Sequence, residues 1–286
     1  MRLNIEHVTG FSYSTGVGSS YNEARMTPVT NSTQTVWSNR LTIAPSAWAY
    51  TYLDYWGTTV TAFELHDRHS ELTVTSQGVV ETHADPHPEE TERRVADADL
   101  DWTAMRSTRV TDAMSELLGG SVQTDPDPEL AGLADDIAAD QPPRLAALDV
   151  CQAIGERVAY QPGATGVTST ASEAWVGGHG VCQDFSHVAI GALRHVGIPT
   201  RYVSGYLHPH GADARAHESV TGESHSWIEF WVGDWVPYDP SSGRMVTEHY
   251  VRVGHGRHYH DVPPLRGTYS GGPSEMFVTV TLTQIG

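Results

Sequence analysis

The chain has 286 residues, 39% of them hydrophobic, which is enough for a large buried core and argues against a disordered protein. Its formal net charge of −18 argues against binding to nucleic acid or to an anionic membrane surface. No stretch approaches 18 consecutive apolar residues, the N-terminus lacks the apolar run of a signal peptide, and two cysteines cannot form a disulfide framework. These features together predict a cytoplasmic protein.

The N-terminal part of the chain has the pattern of a β domain. Residues 1–83 contain short alternating or β-branched runs, such as "LNIEHVTGFSY" and "SELTVTSQGVVE", separated by turn residues. This pattern is typical of an antiparallel β-sandwich. The polar residues 84–125 predict a surface linker with one short helix around "DAMSELLGG". Residues 263–286 predict one further strand, "SEMFVTVTLTQIG", whose sheet the sequence does not identify.

Between these segments, residues 126–262 combine helical and strand patterns. Asp127 followed by Pro128 has the form of a helix N-cap and a first helical residue. In "PRLAALDVCQAIGERVAY", apolar residues recur at helical spacing, and Cys151 belongs to that stripe. We therefore interpret Cys151 as a thiol of the hydrophobic core.

The second cysteine lies in a different setting. Cys182 follows the glycines of "GGHGVCQDFSH" and occupies the predicted first turn of an amphipathic helix. Unpaired N–H groups and the helix dipole favour a thiolate at such a position. The thiolate is the nucleophilic form, and the same amides are suited to stabilising an oxyanion. Position alone leaves a nucleophile and a small buried residue as equal alternatives.

A predicted hairpin supplies the base and the carboxylate that a nucleophile needs. His225 begins its first strand, "HSWIEFW", and Asp239 ends its second, "WVPYD". A two-residue loop at Gly233-Asp234 would place Asp239 on the wrong face. A three-residue loop or one bulge places it opposite Trp227 and diagonal to His225, within reach of two side chains. We therefore predict an odd-length loop or a bulge within residues 231–236.

Three blocks of the chain, in order, resemble the transglutaminase-like superfamily. They are "GVCQDFSHVAIGALRHVGIPTRYVSGYL", "SHSWIEFW" and "WVPYDPSS". The N-terminal "IEHVTGFSYS" is similar to the β-rich domain of the bacterial members. The resemblance implies an α+β fold, with a papain-like, transglutaminase-type core of helices packed on an antiparallel sheet after an antiparallel β-sandwich-like domain. Residues 126–262 would be its catalytic core.

The resemblance also implies an enzyme with a Cys182-His225-Asp239 triad and no cofactor. The implied reaction is acyl transfer through a thioester, by a cysteine peptidase or amidase when water is the acceptor and by a transglutaminase when a primary amine is. The expected substrate is a peptide or a protein. Ser226 departs from the family, which usually has alanine between the catalytic histidine and the tryptophan.

Several residues near the predicted triad have more than one interpretation. The backbone N–H of Cys182 is expected in the oxyanion hole, and Gln161 and Trp175 are candidates for a side-chain donor. The alternative is that Gln161 is an ordinary loop residue and Trp175 an ordinary core residue. Trp227 is either a wall of the cleft that excludes water or a packing residue. Asp184 is expected to cap N–H groups of the helix rather than take part in chemistry.

The sequence is compatible with two alternatives to this enzyme. Histidines are dense at His208 and His210 and again at His255, His258 and His260, but neither group has the spacing of a known metal motif, so we expect no metal. The other alternative is a catalytically idle module that binds or scaffolds, against which the intact triad argues. All 17 basic residues are arginine, so the chain offers no lysine side chain as an amine donor for cross-linking to itself.

Overall fold

The computed structural model describes residues 1–85, 88–208, 219–222 and 224–286. Two antiparallel sheets form the β domain. The first has the strand order β10-β16-β1-β6-β3. Its strands are β1 (Arg2–Val17), β3 (Gln34–Ala44), β6 (His69–Thr82), β10 (Ser219–Gly222) and β16 (Ser274–Gln284). The second has the order β15-β2-β5-β4. Its strands are β2 (Ser20–Ala24), β4 (Ala49–Leu53), β5 (Thr59–Leu65) and β15 (Leu265–Tyr269).

The end of the chain completes this domain. Residues 263–286 hold two strands where the sequence predicted one, and both join sheets begun by the N-terminal residues. Strand β16 pairs with β1 from Leu3 to Tyr13, and β15 pairs with β2. The opposite side of β1 is occupied by β6, so β16 covers an edge that would otherwise stay unpaired. The β domain is therefore discontinuous in sequence.

The segment that follows the first β strands is packed against the core. Residues 84–125 contain four short helices rather than the single helix predicted: α1 (Pro88–Asp97), α2 (Trp102–Met105), α3 (Thr108–Ala113) and α4 (Ser115–Leu118). Met105, Val110 and Leu117 are buried, and the N–H of Leu100 donates to the Val232 carbonyl at 2.7 Å. Apolar side chains spaced among polar ones thus hold this segment on the surface of the core.

The core packs helices on one antiparallel sheet. Its helices are α5 (Pro128–Asp140), α6 (Pro143–Arg157), α7 (Ala171–Gly177) and α8 (Cys182–His195). The sheet order is β13-β12-β11-β9-β14. Its strands are β9 (Thr200–Leu207), β11 (His225–Trp231), β12 (Trp235–Asp239), β13 (Arg244–Met245) and β14 (Tyr250–Gly256). Two further short strands, β7 (Ala159–Tyr160) and β8 (His179–Gly180), pair in parallel.

Helix α8 is the central element of this core. Every residue from Gln183 to Arg194 is buried, and the apolar ones join Ile228 and Phe230 of β11 in one hydrophobic cluster. Cys151 lies in the same cluster, fully buried, as predicted for a core thiol. Among the described helices, none combines the length and the apolar content of a membrane span.

The β domain contacts the core through the side chain of Gln34. This buried amide donates to the carbonyls of Val29 (2.6 Å) and Arg252 (2.9 Å), and its Oε1 accepts the N–H of Arg252 at 2.8 Å. Arg252 belongs to β14, so one side chain of β3 satisfies both backbone groups of a residue in the core sheet. The Thr82 hydroxyl adds a second link by donating to the carbonyl of Glu248.

We expect the substitution Gln34→Ala to lower the free energy of unfolding by about 1–3 kcal/mol, because it removes the acceptor of the Arg252 N–H and a donor to the carbonyls of Val29 and Arg252. Chemical denaturation followed by circular dichroism measures this. Gln77→Ala, at an exposed position of β6, is the matched control and should change stability by about 0.5 kcal/mol or less. Equal effects of the two substitutions would contradict the role assigned to Gln34.

Candidate active site

Cys182 is the first residue of α8, as the glycine-rich sequence predicted. Strand β8 leads into it and pairs with β7, where the N–H of Gln161 donates to the Gly180 carbonyl at 2.8 Å. Gly180 allows close packing here, since a Cβ at this position would lie 2.7 Å from the Cβ of Asp184. The amides of Cys182 and Gln183 lie in the first helical turn, where helix geometry provides no intrahelical acceptor.

Asp184 fastens the start of this helix. Its Oδ2 accepts the N–H of Val181 at 2.8 Å and the hydroxyl of Thr165 at 2.5 Å. The carboxylate therefore caps one backbone donor and ties the 161–170 loop to the helix, in agreement with the capping interpretation. These two hydrogen bonds fix the backbone at the start of α8 and therefore the position of the Cys182 side chain.

The hairpin has the register that the triad requires. Trp231 pairs with Trp235 and Ile228 with Tyr238, so residues 232–234 form a three-residue loop with Gly233 at φ 119°. This odd-length loop confirms the register prediction and carries Asp239 to the position opposite Trp227. His225 lies at the start of the neighbouring strand, with Gly205 of β9 directly across.

His225 and Asp239 are joined directly. The Nε2 of His225 donates to Asp239 Oδ2 at 2.8 Å, and Asp239 is fully buried. The hydroxyl of Tyr250 also donates to Oδ2 (2.8 Å). Oδ1 accepts the N–H (2.9 Å) and hydroxyl (2.7 Å) of Ser241 and, at 3.4 Å, the N–H of Ser242. Because Nε2 carries the proton toward Asp239, Nδ1 is the ring nitrogen left for Cys182.

The charges of Cys182, His225 and Asp239 stabilise one another. Burial alone would raise the pKa of the Cys182 thiol, but the hydrogen bond and charge of His225, with donors from Ser226, lower it below its ordinary value. Burial alone would lower the pKa of His225, but its bonds to Asp239 and Cys182 raise it well above its usual range. The hydrogen bond and charge of His225, with the donors Ser241 and Tyr250, hold the pKa of Asp239 low against the effect of burial. The favoured state is a thiolate–imidazolium pair beside a carboxylate.

Ser226 provides a further contact to the half-buried sulfur. Its side chain is buried, its hydroxyl lies 3.2 Å from the Ser186 hydroxyl of α8, and both its hydroxyl and its N–H stabilise the Cys182 thiolate. Tyr202 lies in the same buried region, where burial, followed by the charge of Cys182, raises the pKa of its hydroxyl. The departure from alanine at position 226 therefore adds a hydrogen-bond donor at the thiol.

The three predicted cleft residues lie in different surroundings. Gln161 is exposed and follows β7, which pairs beside the strand leading to Cys182, so its backbone is close to the start of α8. Trp175 is buried in the core cluster, with the guanidinium of Arg157 over its ring at 5.5 Å. No described contact brings Trp175 to the triad, and the donor role of either residue stays a prediction.

Trp227 forms a buried wall next to the histidine. Its ring lies 6.4 Å from that of His225 and 5.3 Å from that of Tyr250, centroid to centroid. Gly205 permits this packing, since a Cβ there would approach Trp227 Cη2 to 2.8 Å. Trp227 therefore packs and also borders the triad.

The histidines of the two dense groups lie in different surroundings. His255 packs against Trp56, and the rings of His258 and His260 are in edge contact at 5.7 Å. His208 is buried, whereas His210 falls outside the described residues. Over the part of the chain that the structure describes, no group of three or more His, Cys, Asp or Glu side chains is arranged to hold a metal ion.

Comparison with known proteins assigns the fold and the family. The profile of the transglutaminase-like superfamily matches residues 131–240, and that of the bacterial transglutaminase-like N-terminal region matches residues 3–81. Protein ML0607 of Mycobacterium leprae is 43% identical over 99% of both chains. Protein Rv2569c of Mycobacterium tuberculosis is 31% identical over 93% of this chain and 87% of its own.

A solved structure has the same architecture over the whole chain. A candidate cysteine protease from Cytophaga hutchinsonii superposes with a TM-score of 0.74 at 16% identity, covering 100% of this chain and 91% of that one. This similarity defines the fold as α+β, with a papain-like, transglutaminase-type core of helices on an antiparallel sheet and a β-rich N-terminal region. The chain belongs to the transglutaminase-like superfamily and carries the N-terminal domain of its bacterial members.

We expect Cys182 to react with iodoacetamide at pH values below the ordinary thiol pKa of about 8.5, because His225 lowers the pKa of its thiol. Asp239→Asn should move the onset of alkylation to higher pH, since the amide stabilises the imidazolium less. Peptide mapping by mass spectrometry across pH measures both, and the buried Cys151 is the internal control because burial raises the pKa of its thiol. Equal labelling of the two cysteines at neutral pH would contradict a stabilised thiolate.

The contribution of Ser226 is measured in the same assay. Ser226→Ala removes the hydroxyl donor but keeps the backbone N–H, so the onset of alkylation should move about one pH unit towards alkaline. Ser186→Ala is the matched control, because Ser186 contacts Ser226 at 3.2 Å and is not among the groups that lower the pKa of Cys182. An unchanged profile for Ser226→Ala would remove this residue from the thiolate environment.

Proposed function

We propose that this protein is a thiol-dependent acyl-transfer enzyme that cleaves or transfers a peptide or a glutamine-type carboxamide. The observation that carries the proposal is the bonded pair of His225 and buried Asp239, coupled to a cysteine at the start of α8. A nucleophile, a base oriented by a carboxylate, and free helix N-terminal amides are the components that thioester chemistry requires.

In the proposed first step, the Cys182 sulfur attacks the carbonyl carbon of the substrate. The negative charge moves to the carbonyl oxygen, where the amides at the start of α8 are suited to receive it. The C–N bond then breaks as the imidazolium of His225 gives its proton to the departing nitrogen. The products of this step are a thioester on Cys182 and the released nitrogen group, which is an amine from a peptide bond or ammonia from a glutamine carboxamide.

In the second step, neutral His225 takes a proton from the acceptor as the acceptor attacks the thioester carbon. Water gives a carboxylate and makes the enzyme a hydrolase, whereas a primary amine gives a new amide and makes it a transglutaminase. The C–S bond breaks and the thiolate returns beside the imidazolium. Asp239 holds the ring in one tautomer through both steps.

The proposed substrate is a peptide or a protein segment, and the proposed site of action is the cytoplasm. Both cysteines are free thiols in the structure, and the mechanism needs Cys182 in that state. The reducing environment of the cytoplasm keeps thiols free. Without lysine side chains, the enzyme does not become its own usual amine substrate.

The test is to incubate the protein with glutamine-containing peptides, with and without a primary amine, and to follow products and the Cys182 adduct by mass spectrometry. We expect a thioester mass on the peptide that contains Cys182. Cys182→Ala should abolish turnover, a loss of at least about 10³-fold, while the protein remains folded.

Cys151→Ala is the matched control for this substitution. It removes the other thiol of the chain and should leave turnover per folded molecule unchanged, because Cys151 is buried in the core cluster. Substantial turnover by Cys182→Ala would refute the proposed nucleophile. A selectively reactive Cys182 with no turnover of any peptide would favour a binding module instead.

A further inference from the structure

An unusual strand lies at the edge of the β domain. Strand β4 ends its sheet, pairs with β5 on one side, and is joined on its other side by no strand among the described residues. All five of its residues, Ala49 to Leu53, are exposed, although a strand in a sandwich normally buries one face. The pairing with β5 is regular from Ala49 to Leu53, without a bulge.

The exposed residues of this edge are mainly aromatic. Trp48, Tyr50 and Tyr52 lie along one face. The ring centroids of Trp48 and Tyr50 are 5.6 Å apart, and those of Tyr50 and Tyr52 are 6.0 Å apart. Trp48 is 78% exposed, and Leu53 and Tyr55 extend the apolar surface beyond the strand. Exposed apolar patches of this kind mark interaction sites in soluble proteins.

Edge strands β3 and β15 of the same domain are protected against pairing, but β4 is not. Edge strand β3 carries Arg40 and a shift of register between Val36 and Ser38, and edge strand β15 carries Arg266. Charges and bulges are the usual protection of an edge. Residues 46–53 contain no charged residue and no proline. The backbone N–H and C=O groups on the outer side of β4 are therefore available for pairing with another strand.

We propose that β4 pairs with β4 of a second copy of this chain, antiparallel about a two-fold axis at Thr51, to form a homodimer. In this register Thr51 faces its own counterpart and Tyr50 faces Tyr52 of the other copy, so each dimer contains two Tyr–Tyr pairs across the strands. The sequence Tyr50-Thr51-Tyr52 is the same read in either direction, which is the self-complementarity that an isologous interface requires.

The lack of charge along β4 permits a second copy as the partner. Each chain carries a net charge of −18, so two copies can approach closely only where both surfaces lack charge, and β4 is such a place. The exposed rings and Leu53 of this edge offer on the order of 600 Å² per copy. Pairing of the two strands buries the paired backbone and the parts of these side chains that face the other copy.

The test is the mass of the full-length protein in solution, measured by light scattering after size exclusion and by native mass spectrometry at up to about 100 µM. We expect twice the chain mass of 31.2 kDa. Thr51→Lys and Thr51→Glu each place like charges against each other at the axis, so each variant alone should have the mass of one chain. An equimolar mixture of the two should recover the dimer.

Thr42→Lys is the matched control, because Thr42 is an exposed threonine on edge strand β3 of the same domain. It should keep the dimer mass. Circular dichroism establishes that each variant is folded, and recovery of the dimer on mixing does so independently. A monomeric wild type, a dimer that survives Thr51→Lys, or a mixture of folded variants that stays monomeric would each overturn the proposal.

Discussion

The chemistry of the site depends on one fully buried carboxylate whose oxygens are all occupied. Asp239 accepts hydrogen bonds from His225, Tyr250 and both donors of Ser241. A buried carboxylate without such donors would take up a proton, since burial disfavours its charged form. These donors keep the charge in place, and the charge in turn holds His225 protonated and correctly oriented. The thiolate of Cys182 depends on that imidazolium.

The β domain supports this arrangement at a distance from the thiol. Tyr250 begins β14, and Arg252 follows it by two residues on the same strand. The side chain of Gln34, on β3, hydrogen-bonds both the N–H and the carbonyl of Arg252. The domain thus fixes the strand that supplies the Tyr250 donor to Asp239. Because β16 closes the same domain by pairing with β1, residues from both ends of the chain contribute to holding that strand.

Local sequence patterns predicted the parts of the site that depend on local geometry. The glycines before Cys182 indicated a helix start, and loop parity fixed Asp239 opposite Trp227, because each additional loop residue moves a strand by one side-chain face. The pattern "DPSS" was sufficient to identify Ser241 as well, since an Asp side chain commonly accepts the N–H two residues further on. That donor was missed although its sequence pattern is local.

The remaining features depend on contacts between distant residues. Tyr250 reaches Asp239 from β14, three strands from β12 in the sheet order, and no periodicity within either strand specifies that contact. The partner of β16 was equally unspecified, because an alternating strand is compatible with any unpaired edge. Ser226 was noted only as a departure from alanine, and its role depends on the approach of α8 to β11.

The choice of neutral donors around the sulfur has a consequence for control of the reaction. His225 is the cation that lowers the pKa of Cys182, while Ser226 contributes only a hydroxyl and an N–H. In the proposed reaction, one proton on His225 therefore serves both as the counter-charge of the thiolate and as the acid for the leaving amine. When pH rises through the pKa of His225, the site loses its acid, and the thiolate loses its counter-charge in the same step. An arginine beside the sulfur would have separated these two functions, because it stays charged as the histidine titrates.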